Sequence, residues 1–163
     1  MMNRRNLLLT IFSVIIINGA NAQPRQGMNA AEIALPSLNG DTIQLSSLKG
    51  KVVLLDFWAS WCSPCRASNK NLVKLYPKFK DKGFEIFAVS LDTDHEKWKK
   101  AIAKDKVSWK QVIDAGGWEA PTAANWNISA LPTSYLIDRD GKLIAMDLEG
   151  KELEKALKYL LEK

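Results

Sequence analysis

The sequence is poor in the residues that bind metals. Its 163 residues include two cysteines, Cys62 and Cys65, and one histidine, His95. A structural zinc site usually takes four nitrogen or sulfur ligands from two ligand pairs, and this sequence offers no second pair. Covalent haem attachment needs a histidine directly after the second cysteine, where this sequence has Arg66. We therefore expect neither a metal nor another cofactor.

A long block of one charge is also missing. The chain has 23 Lys and Arg and 18 Asp and Glu, a formal net charge of +5, and the two signs are interspersed. The most basic stretch, Lys97 to Lys106, fits the solvated face of a helix that turns Trp98, Ala101 and Ile102 inward. Internal repeats and glycine-rich phosphate loops are absent as well. We therefore expect no nucleic-acid partner.

No apolar run is long enough for a comfortable membrane span. The longest one, Leu7 to Ile17, falls short of the roughly 20 residues that a bilayer needs. Arg4 and Arg5 precede this run, and the small-x-small site Ala20–Ala22 follows it. A basic segment, a short apolar segment and a small-residue site in this order are typical of a secretory signal.

This pattern predicts a signal peptide over residues 1–22 and one domain over residues 23–163. A domain of that size can bury an ordinary core without extra cross-links. We expect it to lie in the periplasm or elsewhere outside the cytoplasm, where disulfides persist. The alternative is an uncleaved N-terminal membrane anchor. A lipid anchor is excluded because no cysteine lies near Ala22.

Hydrophobic periodicity predicts strands and helices that alternate along the rest of the chain. Asn39-Gly40 and Asp140-Gly141 are turn signals between paired strands. The stretch around Gly116-Gly117 is expected to be irregular, and Pro77 is expected to kink or end its helix. The predicted strands are Ile33–Leu38, Thr42–Leu45, Lys51–Ala59, Gly83–Asp92, Thr133–Asp138 and Lys142–Asp147, and the predicted helices are Ser63–Lys80, His95–Lys104 and Lys151–Glu162. The sum is an α/β domain with a mixed sheet and helices on both faces.

The two cysteines stand three positions apart in the segment LLDFWASWCSPCRAS. A disulfide that closes so short a loop barely restricts the unfolded chain, compared with the roughly 3 kcal/mol expected for a loop of about 15 residues. A structural staple would be badly placed here. The spacing therefore favours redox chemistry for Cys62 and Cys65.

Cys62 comes at the end of a predicted strand, and Pro64 fits the first turn of the helix that follows. A helix N-terminus offers unpaired N–H groups and a positive dipole end, which favour a thiolate and lower the pKa of its cysteine. We expect Cys62 to be the exposed nucleophile. Cys65, one turn into the helix, is expected to be the shielded, resolving thiol.

The segment DFWASWCSPC closely resembles the active-site segment of thioredoxin. Together with SLKGKVVLLDFW, VSLD and LPTSYLIDRDGKLI it resembles the TlpA/ResA-like thiol–disulfide oxidoreductases over nearly the whole chain after residue 22. The resemblance implies a thioredoxin-like fold, with a central mixed β-sheet flanked by helices and an N-terminal β-hairpin. The long stretch between Cys65 and Pro132 matches the mid-fold insertion of this branch.

The resemblance also implies roles for residues outside the cysteine pair. Pro132 would be a cis proline against the disulfide, and the Leu131 backbone would pair with an extended substrate. Asp56 would move protons to and from Cys65, although a merely tolerated polar residue is the alternative. Trp61 would offer an apolar contact surface to partners. Core packing is the default expectation for the other tryptophans, Trp58, Trp98, Trp109, Trp118 and Trp126, and His95 is placed on the surface.

We expect a monomeric, exported thiol–disulfide oxidoreductase that acts mainly as a reductant. Ser63-Pro64 supplies no cation to stabilise the reduced thiolate, which favours a potential nearer about −270 mV than about −120 mV. By resemblance, electrons would come from a membrane-embedded DsbD- or CcdA-like donor. Substrates would be oxidised proteins, and apocytochrome c, hence cytochrome c maturation, is one candidate. A thiol peroxidase is one alternative, although Ala59 stands where peroxiredoxins carry threonine. A non-catalytic binding module is the other.

We predict that the exported protein begins near Gln23, because cleavage is expected after Ala22. Intact-mass measurement of the protein recovered after export in a bacterial host tests this directly. A mass that retains the residues from Met1 onward would contradict cleavage and favour the uncleaved anchor.

Overall fold

The computed structural model describes residues 24–162, so the predicted signal peptide over residues 1–22 lies outside the described residues. The domain alternates strands and helices as the periodicity predicts. The strands are β1 (Ala34–Pro36), β2 (Thr42–Gln44), β3 (Val52–Trp58), β4 (Phe84–Ser90), β5 (Lys110–Ile113), β6 (Thr133–Ile137) and β7 (Leu143–Met146), and the helices are α1 (Ser63–Phe79), α2 (His95–Asp105), α3 (Pro121–Asn125) and α4 (Gly150–Leu161). Short 3₁₀ turns occupy Leu45–Leu48, Lys80–Lys82 and Gly117–Glu119.

Five strands form the central sheet in the order β5-β4-β3-β6-β7. The first three of these run parallel, whereas β6 and β7 are antiparallel additions. β3 and β4 are buried at every position, as expected for parallel strands covered on both faces. β1 and β2 form a separate antiparallel hairpin around Asn39-Gly40, as predicted.

Alternate residues of β3 face two separate cores. Leu54 and Trp58 belong to the core that α1, α2 and α4 cover. Val53, Leu55 and Phe57 belong to the core that α3 and the N-terminal residues cover. Because side chains alternate along a strand, Asp56 faces the first core, between Leu54 and Trp58.

Residues before β3 bridge both edges of the central sheet. Asn29 pairs with Lys142 at the start of β7, and the Ala30 N–H donates to the Gly141 carbonyl at 2.8 Å. At the opposite edge, Ser37 pairs with Val112 of β5. The N-terminal segment therefore crosses one face of the sheet from edge to edge.

The mid-chain insertion contains two elements that the periodicity did not predict. β5 is a strand of four residues at the sheet edge. Two of them, Lys110 and Gln111, are polar, so the sequence there lacks the apolar run typical of a buried strand. α3 has five residues, too few for a helical period to emerge. Pro77 does not end α1, which continues to Phe79.

Tryptophan burial follows the expectation at every position but one. Trp58, Trp98, Trp109 and Trp126 are buried, as predicted. The prediction for Trp118 is wrong, since its side chain is 48% exposed. Trp118 lies in the 3₁₀ turn Gly117–Glu119, where the glycine takes the buried position and the indole projects outward.

Shortening a core residue of α4 should cost far more than shortening its half-buried neighbour. Leu157 is fully buried against the sheet, whereas Leu160 is half-buried at the rim. We expect Leu157→Ala to lower the free energy of unfolding by about 2–5 kcal/mol, and Leu160→Ala by clearly less. Urea unfolding of both variants provides the measurement. Equal losses would contradict the packing of α4 described above.

Candidate active site

Cys62 and Cys65 form a disulfide at the N-terminus of α1. The S–S distance is 1.98 Å and the two Cα atoms are 5.3 Å apart. Cys62 is the N-cap of the helix, and its Sγ accepts a hydrogen bond from the Cys65 N–H at 3.2 Å. Pro64 lies in the first turn, where its missing N–H costs the helix nothing. The sulfur atoms therefore lie at the positive end of the helix dipole, as the sequence predicted.

Cys62 is less accessible than expected, whereas Cys65 is shielded as predicted. Cys62 is 5% exposed and Cys65 is 1% exposed, so the prediction of an exposed nucleophile is wrong for this oxidised state. The Cys62 sulfur is bonded to Cys65 and also accepts the Cys65 N–H, which draws it against the helix. Cys62 nevertheless remains the more accessible of the two residues. Trp61, directly before it, is 54% exposed.

Pro132 lies beside the sheet end that carries the disulfide. The Leu131–Pro132 peptide bond is cis, as the resemblance implied, and both residues are half-buried. Thr133 follows as the first residue of β6 and pairs with Phe57 in β3. Its hydroxyl donates to the Ala130 carbonyl at 2.9 Å, which fixes the turn before the proline.

Asp56 is a buried carboxylate on the face of the sheet that α1 covers. It is 6% exposed, and its cross-strand neighbours are Ala88 and Ser134, neither of which carries a charge. No group within residues 24–162 donates a hydrogen bond to it. Burial, together with the nearby charges of Glu149 and Asp147, raises the pKa of Asp56 to about 7.

A cleft of about 520 Å³ connects Asp56 with the surface between α1 and α4. Asp147 is fixed at its rim, because its Oδ1 accepts the Ser134 N–H at 2.8 Å. Glu154 forms ion pairs with two lysines, with its Oε1 3.1 Å from Lys158 Nζ and its Oε2 3.9 Å from Lys78 Nζ. The charged residues that line the cleft are Lys74, Lys78, Asp147, Glu149, Lys151 and Glu154.

A buried carboxylate that the sequence analysis missed holds the loop before Cys62. Asp92 accepts hydrogen bonds from the Ser60 N–H at 2.8 Å, the Ser60 hydroxyl at 2.6 Å and the Ser90 hydroxyl at 2.7 Å. It lies just beyond β4, where the available signal was an acidic residue at the end of a buried strand. The loop that carries Trp61 and Cys62 is thereby bound to the end of β4.

Arg66 secures the same loop from the other side. Its guanidinium makes a bidentate contact with the Asp105 carboxylate, and its Nη1 donates to the Ser60 carbonyl at 3.1 Å. The Asn69 amide donates to Asp105 as well, at 3.1 Å. Although burial opposes the shift, these hydrogen bonds lower the pKa of Asp105. α1 and α2 are therefore joined by a charged pair one residue from the disulfide.

Metal binding finds no support in the part of the chain that the structure describes. No group of three or more His, Cys, Asp or Glu side chains there has the geometry to hold a metal ion. His95 is exposed at the start of α2, as predicted, and its ring contacts Trp98.

Comparisons with known proteins agree with this geometry. The Redoxin family model matches residues 25–161. A thiol-disulfide oxidoreductase ResA from Bacillus cereus is 32% identical over 99% of this chain and 98% of its own. A thiol-disulfide oxidoreductase from Bacteroides fragilis is 39% identical with a TM-score of 0.77, over 82% of this chain and 100% of the other.

A second solved structure extends the likeness to the fold. The thioredoxin domain of a thiol-disulfide oxidoreductase from Bacteroides vulgatus is 38% identical, with a TM-score of 0.79, over 84% of this chain and 98% of the other. The mixed sheet, the flanking helices and the disulfide at the start of α1 fit these relatives. The chain therefore belongs to the redoxin family, as a thiol–disulfide oxidoreductase of the ResA type with a thioredoxin-like fold.

Proposed function

We propose that the protein reduces disulfides of other proteins outside the cytoplasm, through a dithiol/disulfide cycle of Cys62 and Cys65. The observation that carries the proposal is the disulfide at the N-terminus of α1, with the Cys62 sulfur at the helix cap. The same helix terminus that accepts the disulfide would stabilise a Cys62 thiolate after reduction. Ser63-Pro64 adds no cation, which supports the role of a reductant over that of a strong oxidant.

The cycle has two thiol–disulfide exchange steps. The Cys62 thiolate attacks one sulfur of the substrate disulfide, the substrate S–S bond breaks, and the second substrate sulfur leaves as a thiolate. Cys65 then loses its proton and attacks Cys62, which breaks the mixed disulfide and releases the first substrate sulfur. Two electrons pass to the substrate, and the enzyme ends as the Cys62–Cys65 disulfide.

We assign to Asp56 the role of accepting the proton of Cys65. Cys65 packs in the core that also contains Leu54 and Trp58, the two residues whose side chains flank Asp56 on β3. A carboxylate with a pKa of about 7 can accept a proton near neutral pH, where a solvated aspartate would be too weak a base. The cleft between α1 and α4 would let that proton exchange with solvent.

Substrate binding is assigned to the surface around Cys62. The cis peptide before Pro132 lies next to the start of β6, and the Leu131 backbone there would pair with an extended substrate segment. The exposed Trp61 would add an apolar contact. Cys62, Leu131 and Trp61 would then contact consecutive parts of one substrate chain.

The cellular setting is inferred from the N-terminal segment and from the family. We propose that residues 1–22 direct export and that residues 23–163 form the working domain, as a monomer. None of the helices between residues 24 and 162 has the length and apolar character needed to cross a membrane. Because the protein must be re-reduced after each cycle, it requires an electron donor, for which a DsbD- or CcdA-like membrane protein is the candidate. Oxidised proteins, including apocytochrome c, are the proposed substrates.

Replacing Cys65 with serine should trap substrates on Cys62, because the mixed disulfide loses the thiol that resolves it. The wild-type dithiol should reduce insulin, and the Cys65→Ser variant should instead form a stable adduct that non-reducing electrophoresis detects. Cys62→Ser is the matched control and should trap nothing. Equal capture by both variants would contradict the assignment of nucleophile and resolving thiol.

Asp56→Asn should stabilise the fold at alkaline pH. The folded-state pKa of about 7 exceeds the ordinary value of 3.8, so the folded protein binds more protons between these values. The free energy of unfolding therefore falls as pH rises through this window, by at most about 4 kcal/mol. Asp56→Asn should remove that fall, while leaving stability near pH 4 little changed. Urea unfolding at several pH values measures the difference between the two proteins.

The same variant should slow resolution of the mixed disulfide by Cys65 more than capture of the substrate by Cys62, because asparagine accepts no proton. We expect the rate of resolution to fall by about 10² to 10⁴-fold above neutral pH. Stopped-flow turnover from about pH 6 to 9 provides the test. Glu149→Gln is the control that keeps the carboxylate of Asp56. Removal of the neighbouring charge should lower the pKa of Asp56 and move the turnover profile to lower pH. Unchanged turnover of Asp56→Asn over this whole pH range would contradict the role in proton transfer and mean that Asp56 is only a tolerated polar residue.

A further inference from the structure

Two exposed tryptophans touch each other beside the disulfide. The ring centroids of Trp61 and Trp118 are 6.0 Å apart, with an interplanar angle of 50°. The residues are 54% and 48% exposed, although tryptophan is usually largely buried. Trp61 directly precedes Cys62, whereas Trp118 comes from the mid-chain insertion, so the fold has brought together two apolar surfaces from distant segments. Exposed aromatic area of this kind is typical of an interaction site.

The loop that carries Trp61 is held in place from beneath. Ser60 precedes Trp61, and both its N–H and its hydroxyl donate to Asp92. Asp92 lies two residues after the end of β4. The Ser60 carbonyl accepts from Arg66 at 3.1 Å. These three hydrogen bonds fix the backbone immediately before Trp61.

The turn that carries Trp118 has little room for a side chain at either of its two glycines. Gly117 has φ +61°, and a Cβ on it would lie 3.1 Å from Thr93 Cγ2. A Cβ on Gly116 would lie 2.8 Å from the Ala120 Cα, which real structures essentially never show. A side chain at Gly117 would therefore press on Thr93, and one at Gly116 would press on Ala120 at the end of the same turn. The two glycines allow the turn to pack closely against the domain, with the Trp118 ring on the surface.

Both tryptophans are positioned by the same short segment after β4. Asp92 binds the loop of Trp61, and the side chain of Thr93 and the Leu91 carbonyl occupy the space into which a Cβ on Gly117 would point. The backbone next to each ring is therefore supported by the same segment, and the ring centroids lie 6.0 Å apart. A rigid aromatic surface loses little conformational entropy when a partner binds, which is the property of binding hot spots.

We propose that Trp61 and Trp118 form an aromatic platform for an apolar side chain near the reactive cysteine of the substrate, and that Trp118 thereby determines which disulfides Cys62 attacks. The inference rests on the proposed function and adds a substrate class to it. Because Trp61 adjoins Cys62, and an extended chain advances about 3.3–3.6 Å per residue, the bound side chain belongs to a residue within about three positions of the substrate cysteine. Extended segments with an aliphatic or aromatic residue there are the preferred substrates.

Two peptides with one cysteine each test the platform. They differ at a single position two residues before the cysteine, which is Phe in one peptide and Ser in the other, and the cysteine is activated as a mixed disulfide with thiopyridine. In the Cys65→Ser background, the Cys62 thiolate attacks the peptide sulfur. The S–S bond to thiopyridine breaks, and pyridinethione is released and measured by its absorbance. Capture of the Phe peptide should be about fivefold faster, equivalent to roughly 1 kcal/mol.

Trp118→Ala should bring this ratio of rates close to one, and Trp118→Phe should retain part of it. Tyr159→Ala, an exposed aromatic near the end of α4, is the matched control and should leave the ratio unchanged. Because Trp118 is about half exposed, Trp118→Ala should lower the urea midpoint much less than a core truncation such as Leu157→Ala. A Phe preference that survives Trp118→Ala would overturn the proposal.

The small disulfide dithiodipyridine separates recognition from reactivity. It carries no peptide, so its rate with Cys62 should be the same with and without Trp118. If Trp118→Ala slows this reagent as much as the Phe peptide, Trp118 acts on the thiolate itself and the platform is refuted. If Cys62 reacts with the reagent and both peptides but shows no preference, the platform fails while the oxidoreductase function stands. If Cys62 reacts with none of them, the proposed function fails as well.

Discussion

The central strand β3 is the constraint on which both the fold and the site depend. Its seven residues are buried on both faces, so two separate cores and the helices that cover them are aligned by one segment of backbone. The strand ends at Trp58, and within four residues the chain reaches the cysteine that caps α1. The same strand carries Asp56 on the side of that helix. The acid and the disulfide are therefore both placed by β3, the first within the strand and the second just beyond its end.

Charged groups surround the site in two different ways. Asp92 and Asp105 are partly or fully buried but accept several hydrogen bonds each, and they hold the loop before Cys62 and the start of α1. Asp56 is buried without such partners, and two further acids stand near it. Hydrogen bonds from several donors compensate the burial of a carboxylate, whereas burial without donors raises the pKa of the carboxyl group. The contrast separates the groups that support the loop from the one suited to move a proton.

The sequence predicted those features that depend on local pattern. Continuous apolar runs marked β3 and β4, Asn39-Gly40 marked the hairpin, and the cysteine spacing marked the site. It could not predict β5, because a short edge strand with Lys110 and Gln111 has no distinct periodicity. The buried position of Gln111 is explained by a partner on another strand, because its Oε1 accepts the Trp58 indole N–H at 3.1 Å. Hydrogen bonds between distant segments, such as that from Ser60 to Asp92, likewise leave no local trace.

The N-terminal segment has a consequence for assembly of the chain. A sheet edge with free N–H and C=O groups can pair with another molecule, and here Asn29 pairs across one edge while Ser37 pairs across the other. The intervening residues pack over the core between them, through Ile33 and Leu35. This segment therefore protects both edges only after Asn29 and Ser37 have docked on Lys142 and Val112, which lie far along the chain. In any state in which this segment is not docked, both sheet edges are open and the chain is more prone to aggregate.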